Sequence, residues 1–126
     1  MKAPEMLYGE RLSEHKVGKY TGILWHRIES GSATKYEFIM AVHDSETDMA
    51  CMFIASEINE EAAHDSGDTY YLGVFYEDEY ERIEPSSDWA DADKFKNRAL
   101  QIVMEKFDVD VMELVAPGEM TPKVPE

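Results

Sequence analysis

Residues 35–43, KYEFIMAVH, decide the fold class, because apolar side chains recur at every second position of this run. Successive side chains of a β-strand point to opposite faces, so a period of two is typical of a strand with one buried face. The face expected to be buried carries Tyr36, Phe38, Met40 and Val42. This run therefore predicts a half-buried strand, ending at His43.

The segments on either side of this strand are also predicted to be strands. Residues 20–29, YTGILWHRIE, are rich in aromatic and aliphatic side chains and end at a Ser-Gly-Ser turn, so they should form a hairpin with it. Residues 49–56, MACMFIAS, are apolar on both faces, and residues 69–76, TYYLGVFY, form a fourth strand. The connections are too short for crossovers, which predicts an antiparallel meander. We expect the acidic residues 77–82 to continue the fourth strand beyond the sheet.

A helix is predicted after the strands. Pro85-Ser86-Ser87-Asp88 offers a capping oxygen followed by acidic residues, and apolar residues then recur at spacings of three and four as far as Phe107. The fold class is therefore α+β: an antiparallel sheet of four to six strands, with one long C-terminal helix that begins near Ser87 and packs on one face. Residues 1–115 should form this single domain, and residues 116–126 a flexible C-terminal tail.

The negative charge of the chain is concentrated in its middle. The formal net charge is −15 at pH 7, and residues 44–93 hold sixteen Asp and Glu against one basic residue, Arg82. The rest of the chain holds eleven residues of each sign. Such concentration favours a negative surface directed at a positive partner. Because the same charge repels nucleic acid and anionic membranes, neither is expected as a direct partner.

The acidic stretch supplies fourteen candidate partner-binding residues, in one turn, one loop and the segment after the fourth strand. They are Asp44, Glu46, Asp48, Glu60, Glu61, Asp65, Asp68, Tyr76, Glu77, Asp78, Glu79, Tyr80, Glu81 and Glu84. Same-face side chains of a strand lie about 6.8 Å apart, so Glu77, Glu79 and Glu81 would form a row that resembles alternate phosphates of DNA. The two tyrosines would be aromatic anchors. The competing interpretation is that these acids are solvated turn and edge residues that deter aggregation.

These features favour a non-enzymatic binding protein that occupies a basic surface of a partner protein. Its most specific forms are a nucleic-acid mimic that inhibits a nucleic-acid-binding or defence enzyme, and an immunity protein for a basic toxin. One alternative is a small-molecule-binding or enzymatic α+β protein with a pocket between helix and sheet, using His26, Trp25 and tyrosines. A third hypothesis is a homodimer formed through the uncovered face of the sheet, with the acidity serving only solubility.

No catalytic residue, cofactor or metal site is predicted. Asp44-Ser45-Glu46-Thr47-Asp48 begins like a calcium loop, but Met49 stands at the sixth position instead of Gly and Ala55 at the twelfth instead of Glu. Cys51 lies in the most apolar strand, which predicts a packing role. No apolar run approaches the roughly 20 residues that span a bilayer and no N-terminal signal is evident, so a cytoplasmic location is expected.

Overall fold

Six β-strands follow one another in the chain and pair in the same order in space. The computed structural model describes residues 3–31, 33–58 and 70–107. The strands are β1 (Met6–Val17), β2 (Tyr20–Ser30), β3 (Tyr36–Asp44), β4 (Met49–Ile58), β5 (Tyr70–Tyr76) and β6 (Glu79–Ile83). Every neighbouring pair is antiparallel. A 3-10 turn (Ser87–Ala90) and the helix α1 (Ala92–Phe107) follow, so the predicted α+β meander with one C-terminal helix is confirmed.

The alternation of β3 places its side chains largely as predicted. Phe38, Met40 and Val42 are buried on the face that α1 covers. Tyr36 is also buried, but it packs with Ile39 on the opposite face. The cause is an irregularity in the pairing with β4 between Tyr36 and Phe38, because such a bulge shifts the alternation by one residue.

The main core lies between α1 and one face of the sheet. The helix contributes Phe95, Ala99, Leu100, Ile102 and Val103, all of them buried. They pack with residues of β2, β3, β4 and β5, and the rings of Phe38 and Phe95 stack with 5.6 Å between their centroids. The face without the helix holds a smaller cluster of buried residues, formed by Tyr36, Ile39, Ala55 and Phe75.

The helix begins five residues later than its predicted start near Ser87. The Ser86 hydroxyl does accept a hydrogen bond from the Asp88 amide, at 3.0 Å, but the turn that it caps is the 3-10 turn. Asp91 then adopts an extended conformation, and its carboxylate accepts a hydrogen bond from the Lys94 amide at 2.9 Å. This second cap starts α1 at Ala92, because it satisfies a backbone donor that the first turn of a helix leaves free.

The acidic residues 77–82 do not continue β5 beyond the sheet, so this prediction was wrong. The chain reverses at Glu77 and Asp78, where Glu77 has a positive φ of 57°, and Tyr76 pairs with Glu79 across this turn. Residues 79–83 return along β5 as the edge strand β6. The reversal needs only two residues, which is the shortest common hairpin connection.

The alternating strand directions divide the turns between two ends of the sheet. The β1–β2, β3–β4 and β5–β6 turns share one end, and the strand ends Ile58 and Tyr70 lie at the other. The helix finishes at the first end, because Phe107 stacks on Tyr20 at 4.1 Å and meets Tyr76 edge-on at 5.6 Å. We call this the acidic end and define it by Asp44, Glu46, Asp48, Glu77 and Asp78.

Residues 108–126 lie outside the described part of the chain. The predicted domain limit at residue 115 and the predicted tail at 116–126 therefore stay predictions. Within the described ranges, α1 is the one α-helix, and no helix there is long and apolar enough to cross a membrane.

Candidate functional site

The acidic end is formed by two turns from different hairpins. Asp44, Glu46 and Asp48 belong to the β3–β4 turn, and Glu77 and Asp78 form the β5–β6 turn. All except the half-buried Asp44 are exposed. Because β4 continues for three residues past Met52, the partner of Tyr76, the first turn projects roughly 10 Å farther than the second. The acids of the β3–β4 turn and those of the β5–β6 turn therefore lie at two different heights above the sheet end, and we call these turns stepped.

Asp44 serves the turn in which it lies. One carboxylate oxygen accepts a hydrogen bond from the Glu46 amide at 2.8 Å, and the other lies 3.6 Å from Lys19 Nζ. The amide of Glu46 is the main cause of a lowered pKa at Asp44, and the charge of Asp44 is the main cause of a raised pKa at Lys19. Asp44 thus holds the turn in shape and leaves Glu46 and Asp48 at its exposed tip.

The side chains of β6 alternate between two different environments. Glu79 and Glu81 pair with Tyr76 and Val74 and so lie on the helix side of the sheet, whereas Tyr80 and Arg82 lie on the opposite side. Glu77 is in the turn, so the expected row of three glutamates contains only Glu79 and Glu81 within a strand.

The two predicted aromatic anchors lie on opposite faces. Tyr76 is half-buried against Phe107 on the helix side. Tyr80 packs on Phe75 on the other side, with 4.6 Å between the ring centroids, and is 38% exposed. One flat partner surface lying on either face of the sheet could therefore contact only one of these rings.

Glu84 lies away from the acidic end. It follows β6 at the opposite end of the sheet, roughly 17 Å along the strand from Glu79. Arg98 of α1 donates two hydrogen bonds to its carboxylate, at 2.9 and 2.6 Å, and these bonds are the main cause of a lowered pKa at Glu84. Its charge is therefore largely compensated by Arg98.

The remaining predicted residues, Glu60, Glu61, Asp65 and Asp68, lie outside the described residues. The strand ends that flank their segment, Ile58 and Tyr70, are at the end of the sheet opposite the acidic end. Among the described candidates, the structure brings together the residues of the acidic end and the adjoining Glu79 and Glu81.

A groove runs beside α1 over β5 and β6. One part of it, of about 310 Å³, is lined by Val74, Ile83 and Ile102 at its base and by charged residues at its rim. The rim residues are Glu81, Arg98, Glu105 and Lys106. An adjoining part of about 320 Å³ shares Val74, Glu81 and Lys106 and adds Tyr76, Glu79 and Tyr80. Together these two parts form the β6 groove.

The helix residues of this groove were not predicted from the sequence. Glu105 and Lys106 lie in the last turns of α1, and only the packing of the helix places them opposite Glu81. Lys106 Nζ is 5.3 Å from the centre of the Tyr76 ring. No local sequence signal could have identified Glu105, because an exposed glutamate is ordinary on a helix surface.

A buried carboxylate lies on the other side of β6. Glu57 is 1% exposed, and its Oε1 accepts hydrogen bonds from the Tyr80 hydroxyl at 2.6 Å and from Arg82 Nε at 2.8 Å. Burial, and then the hydrogen bond to Glu57, raise the pKa of Tyr80 to about 12. Arg82, the one basic residue of the acidic stretch, is therefore committed to a carboxylate inside the protein.

The second oxygen of Glu57 packs against the backbone. Oε2 is buried, has no hydrogen-bond partner among the described residues, and occupies the space that a Cβ on Gly73 would need. Arg82 also lies over the ring of Tyr71, 5.5 Å from its centre. We call Glu57, Tyr80 and Arg82 the Glu57 cluster; it attaches the edge strand β6 to β4 across β5.

A separate cavity of about 680 Å³ lies between the first three strands and the start of α1. His26, Arg27, Tyr36 and Asp91 are among its lining residues. Glu10 Oε1 is 3.9 Å from His26 Nε2 and 3.7 Å from Arg27 Nη1. Trp25 pairs with Ile39 and so lies on the opposite face, away from this cavity.

The described residues also show where the possible metal ligands and the single cysteine lie. No three His, Cys, Asp or Glu side chains there are placed to hold a metal ion. Cys51 is half-buried, its Sγ lies 3.5 Å from the Val42 carbonyl oxygen, and burial raises the pKa of its thiol. A raised pKa lowers the thiolate fraction at neutral pH.

No family model matches the chain, no curated protein matches it, and no solved structure matches it. The function is therefore argued from the geometry described above.

Proposed function

We propose that this chain is a non-enzymatic acidic protein that binds a basic surface of a partner protein. One observation carries the proposal: five exposed carboxylates lie at the acidic end and along the adjoining part of β6, with no cationic side chain within 4 Å among the described residues. They are Glu46, Asp48, Glu77, Glu79 and Glu81. Lys19 acts on Glu46, and Lys106 shares the groove with Glu79 and Glu81, but neither lies within 4 Å of these carboxylates, so much of their field stays available to a partner.

The electrostatics of the whole chain support this kind of association. A net charge of −15 raises the rate at which a basic protein is encountered, and salt screens the attraction over about 10 Å at 0.1 M. Basic partners of this kind include nucleic-acid-binding enzymes, defence enzymes and basic toxins. On the first two, the carboxylates would take the place of phosphates and so inhibit the enzyme.

The placement of Glu77 narrows the nucleic-acid-mimic form of the proposal. Glu79 and Glu81, about 6.8 Å apart, match alternate phosphates of one DNA strand only over a short length. The stepped turns of the acidic end extend the charge in a second direction. The proposal therefore depends on the acidic end as a whole and not on a straight row.

Edge protection alone does not explain this distribution. Charged side chains on β6 would indeed deter pairing with another sheet. The other edge strand, β1, instead exposes Leu7, Tyr8 and Leu12, at 76%, 55% and 43%. Glu46, Asp48 and Glu77 are in turns, where no edge needs protection. A binding role accounts for the turns and the edge together.

The proposal is tested with the native host's soluble proteins and three forms of the chain as bait. The acidic-end variant is Glu46→Gln, Asp48→Asn, Glu77→Gln, and the matched control is Glu5→Gln, Glu29→Gln, Asp93→Asn, which removes the same charge from exposed sites elsewhere. We expect basic proteins to bind the unmodified chain and the control, to be released by moderate salt, and to be lost from the acidic-end variant. Equal retention by both variants would refute the proposal.

The cavity at His26 favours a second candidate function, a small-molecule-binding protein. Its volume of about 680 Å³ falls within the range of ligand sites, and its lining combines apolar, aromatic and charged residues. Amide shifts in NMR spectra on addition of a small-molecule library should then centre on His26 and Tyr36. An absence of such shifts would leave the acidic surface as the remaining candidate.

A further inference from the structure

We infer that the β6 groove receives a basic amphipathic segment of the partner, in which an apolar side chain is flanked by lysine or arginine. The inference rests on the proposed function and specifies where the partner is recognised and by what chemistry.

The base of the groove selects for an apolar side chain. Val74 and Ile102 are each 4% exposed, and both belong to the main core, so the base is continuous with well-packed apolar residues. Ile83 is half-buried beside them. A leucine-sized side chain placed there would leave water and contact apolar atoms, which is favourable in proportion to the area that it buries.

The rim of the groove selects for positive charge. Glu79 and Glu81 stand along β6, and Glu105 stands on the facing side of α1. Arg98 donates two hydrogen bonds to Glu84, and its Nη1 also lies 3.6 Å from a carboxylate oxygen of Glu105, so it is shared between these two acids. Lys106 is the other cation of the rim. With Glu84 included, four carboxylates stand against the two cations Arg98 and Lys106, so the rim is negative, and Glu79 and Glu81 are its carboxylates without an ion pair among the described residues.

The shape of this region favours a short segment. β6 has five residues, so a segment lying along it would be in contact over roughly 17 Å. The outer edge of β6 pairs with no strand among the described residues, so its outward backbone groups can also accept or donate hydrogen bonds. Apolar base, acidic rim and unpaired edge therefore lie together.

Two synthetic peptides of equal length and charge test the inference. One alternates lysine with leucine, and the other alternates lysine with serine. Calorimetry at low salt should show the leucine peptide binding the unmodified chain about tenfold more tightly, since one buried leucine is worth at least that factor. The serine peptide measures the contribution of charge alone.

Two variants of equal charge locate the binding. We expect Glu79→Gln, Glu81→Gln, Glu105→Gln to weaken binding of the leucine peptide by about tenfold. The control variant Glu5→Gln, Glu29→Gln, Asp93→Asn should weaken it by less than threefold, although it loses the same charge. Circular dichroism confirms that both variants remain folded, and NMR shifts on peptide addition should centre on Val74, Ile83 and Ile102.

The outcomes separate this inference from the proposed function. Equal affinity for the two peptides, or shifts centred on the β3–β4 turn, would overturn the inference about the groove and leave the acidic surface standing. Equal weakening by the two variants would also overturn it, because binding would then follow net charge alone. If neither peptide binds, or if salt does not weaken their binding, both the inference about the groove and the proposed function would be refuted.

Discussion

Two arginine–glutamate pairs hold the segment that carries the groove rim, and they differ mainly in burial. Arg82 binds Glu57, whose side chain is 1% exposed, whereas Arg98 binds Glu84, whose side chain is 38% exposed. Both contacts are short, at 2.8 and 2.6 Å. A buried carboxylate that loses its partner cannot be solvated by water, whereas an exposed one can. The first pair should therefore contribute far more to stability than the second.

The pairs act on opposite sides of the same short segment. The Glu57 cluster holds Tyr80 and Arg82 on the face without the helix, so Glu79 and Glu81 are directed to the groove. Arg98 fixes Glu84, at the end of β6, to the helix. The two contacts are similar in length, so the difference lies in burial. The buried Arg82–Glu57 pair attaches β6 to the sheet, whereas the exposed Arg98–Glu84 pair positions only the end of β6.

Removal of Arg82 should give the largest effect. Arg82→Met leaves the Glu57 carboxylate buried with the Tyr80 hydroxyl as its remaining donor, and we expect the free energy of unfolding at pH 7 to fall by about 3 kcal/mol. This is the lower end for a broken buried pair, because Arg82 itself is half exposed. Urea unfolding measures the change.

A double variant serves as the control for this prediction. Glu57→Leu with Arg82→Met removes both charges, and such replacements are often neutral, so most of the lost stability should return. A loss below about 1 kcal/mol in Arg82→Met alone would show that Glu57 reaches water, as in an exposed pair.

Gly73→Ala should have the next largest effect, because the added Cβ collides with Glu57 Oε2. We expect a loss of about 1–3 kcal/mol, typical of overpacking. In a Glu57→Ala background that oxygen is absent, so the same substitution should cost much less. A double-mutant cycle measures this coupling, and identical costs in the two backgrounds would contradict the contact.

The sequence was sufficient for the fold where one pattern determines the outcome. The alternation around Met40 and the spacing of three and four along α1 predicted which residues meet in the core. The reversal after Tyr76 was missed, because Glu77 and Asp78 lack the glycine or asparagine that usually marks a two-residue turn.

The candidate site was predictable only in part, for a related reason. The concentration of charge in the sequence identified the acidic residues of both turns, because polar residues in a turn are usually exposed. It could not find Glu57, which contacts Arg82 across 25 residues, nor the placement of Glu105 beside Glu81. Both depend on tertiary packing, which brings distant parts of the chain together.

Glu84→Gln should give the smallest effect, below about 1 kcal/mol, because the pair is exposed and salt screens it. Hydrogen bonds from Arg98 lower the pKa of Glu84 in the folded state, so the stabilisation is present above the unfolded pKa and is lost as the pH falls through the folded one. The difference in unfolding free energy between the two forms should therefore shrink from pH 6 toward pH 3. If it instead grew on acidification, the contact with Arg98 would not favour the ionised form of Glu84, and the exposed pair would not act through charge as its geometry predicts.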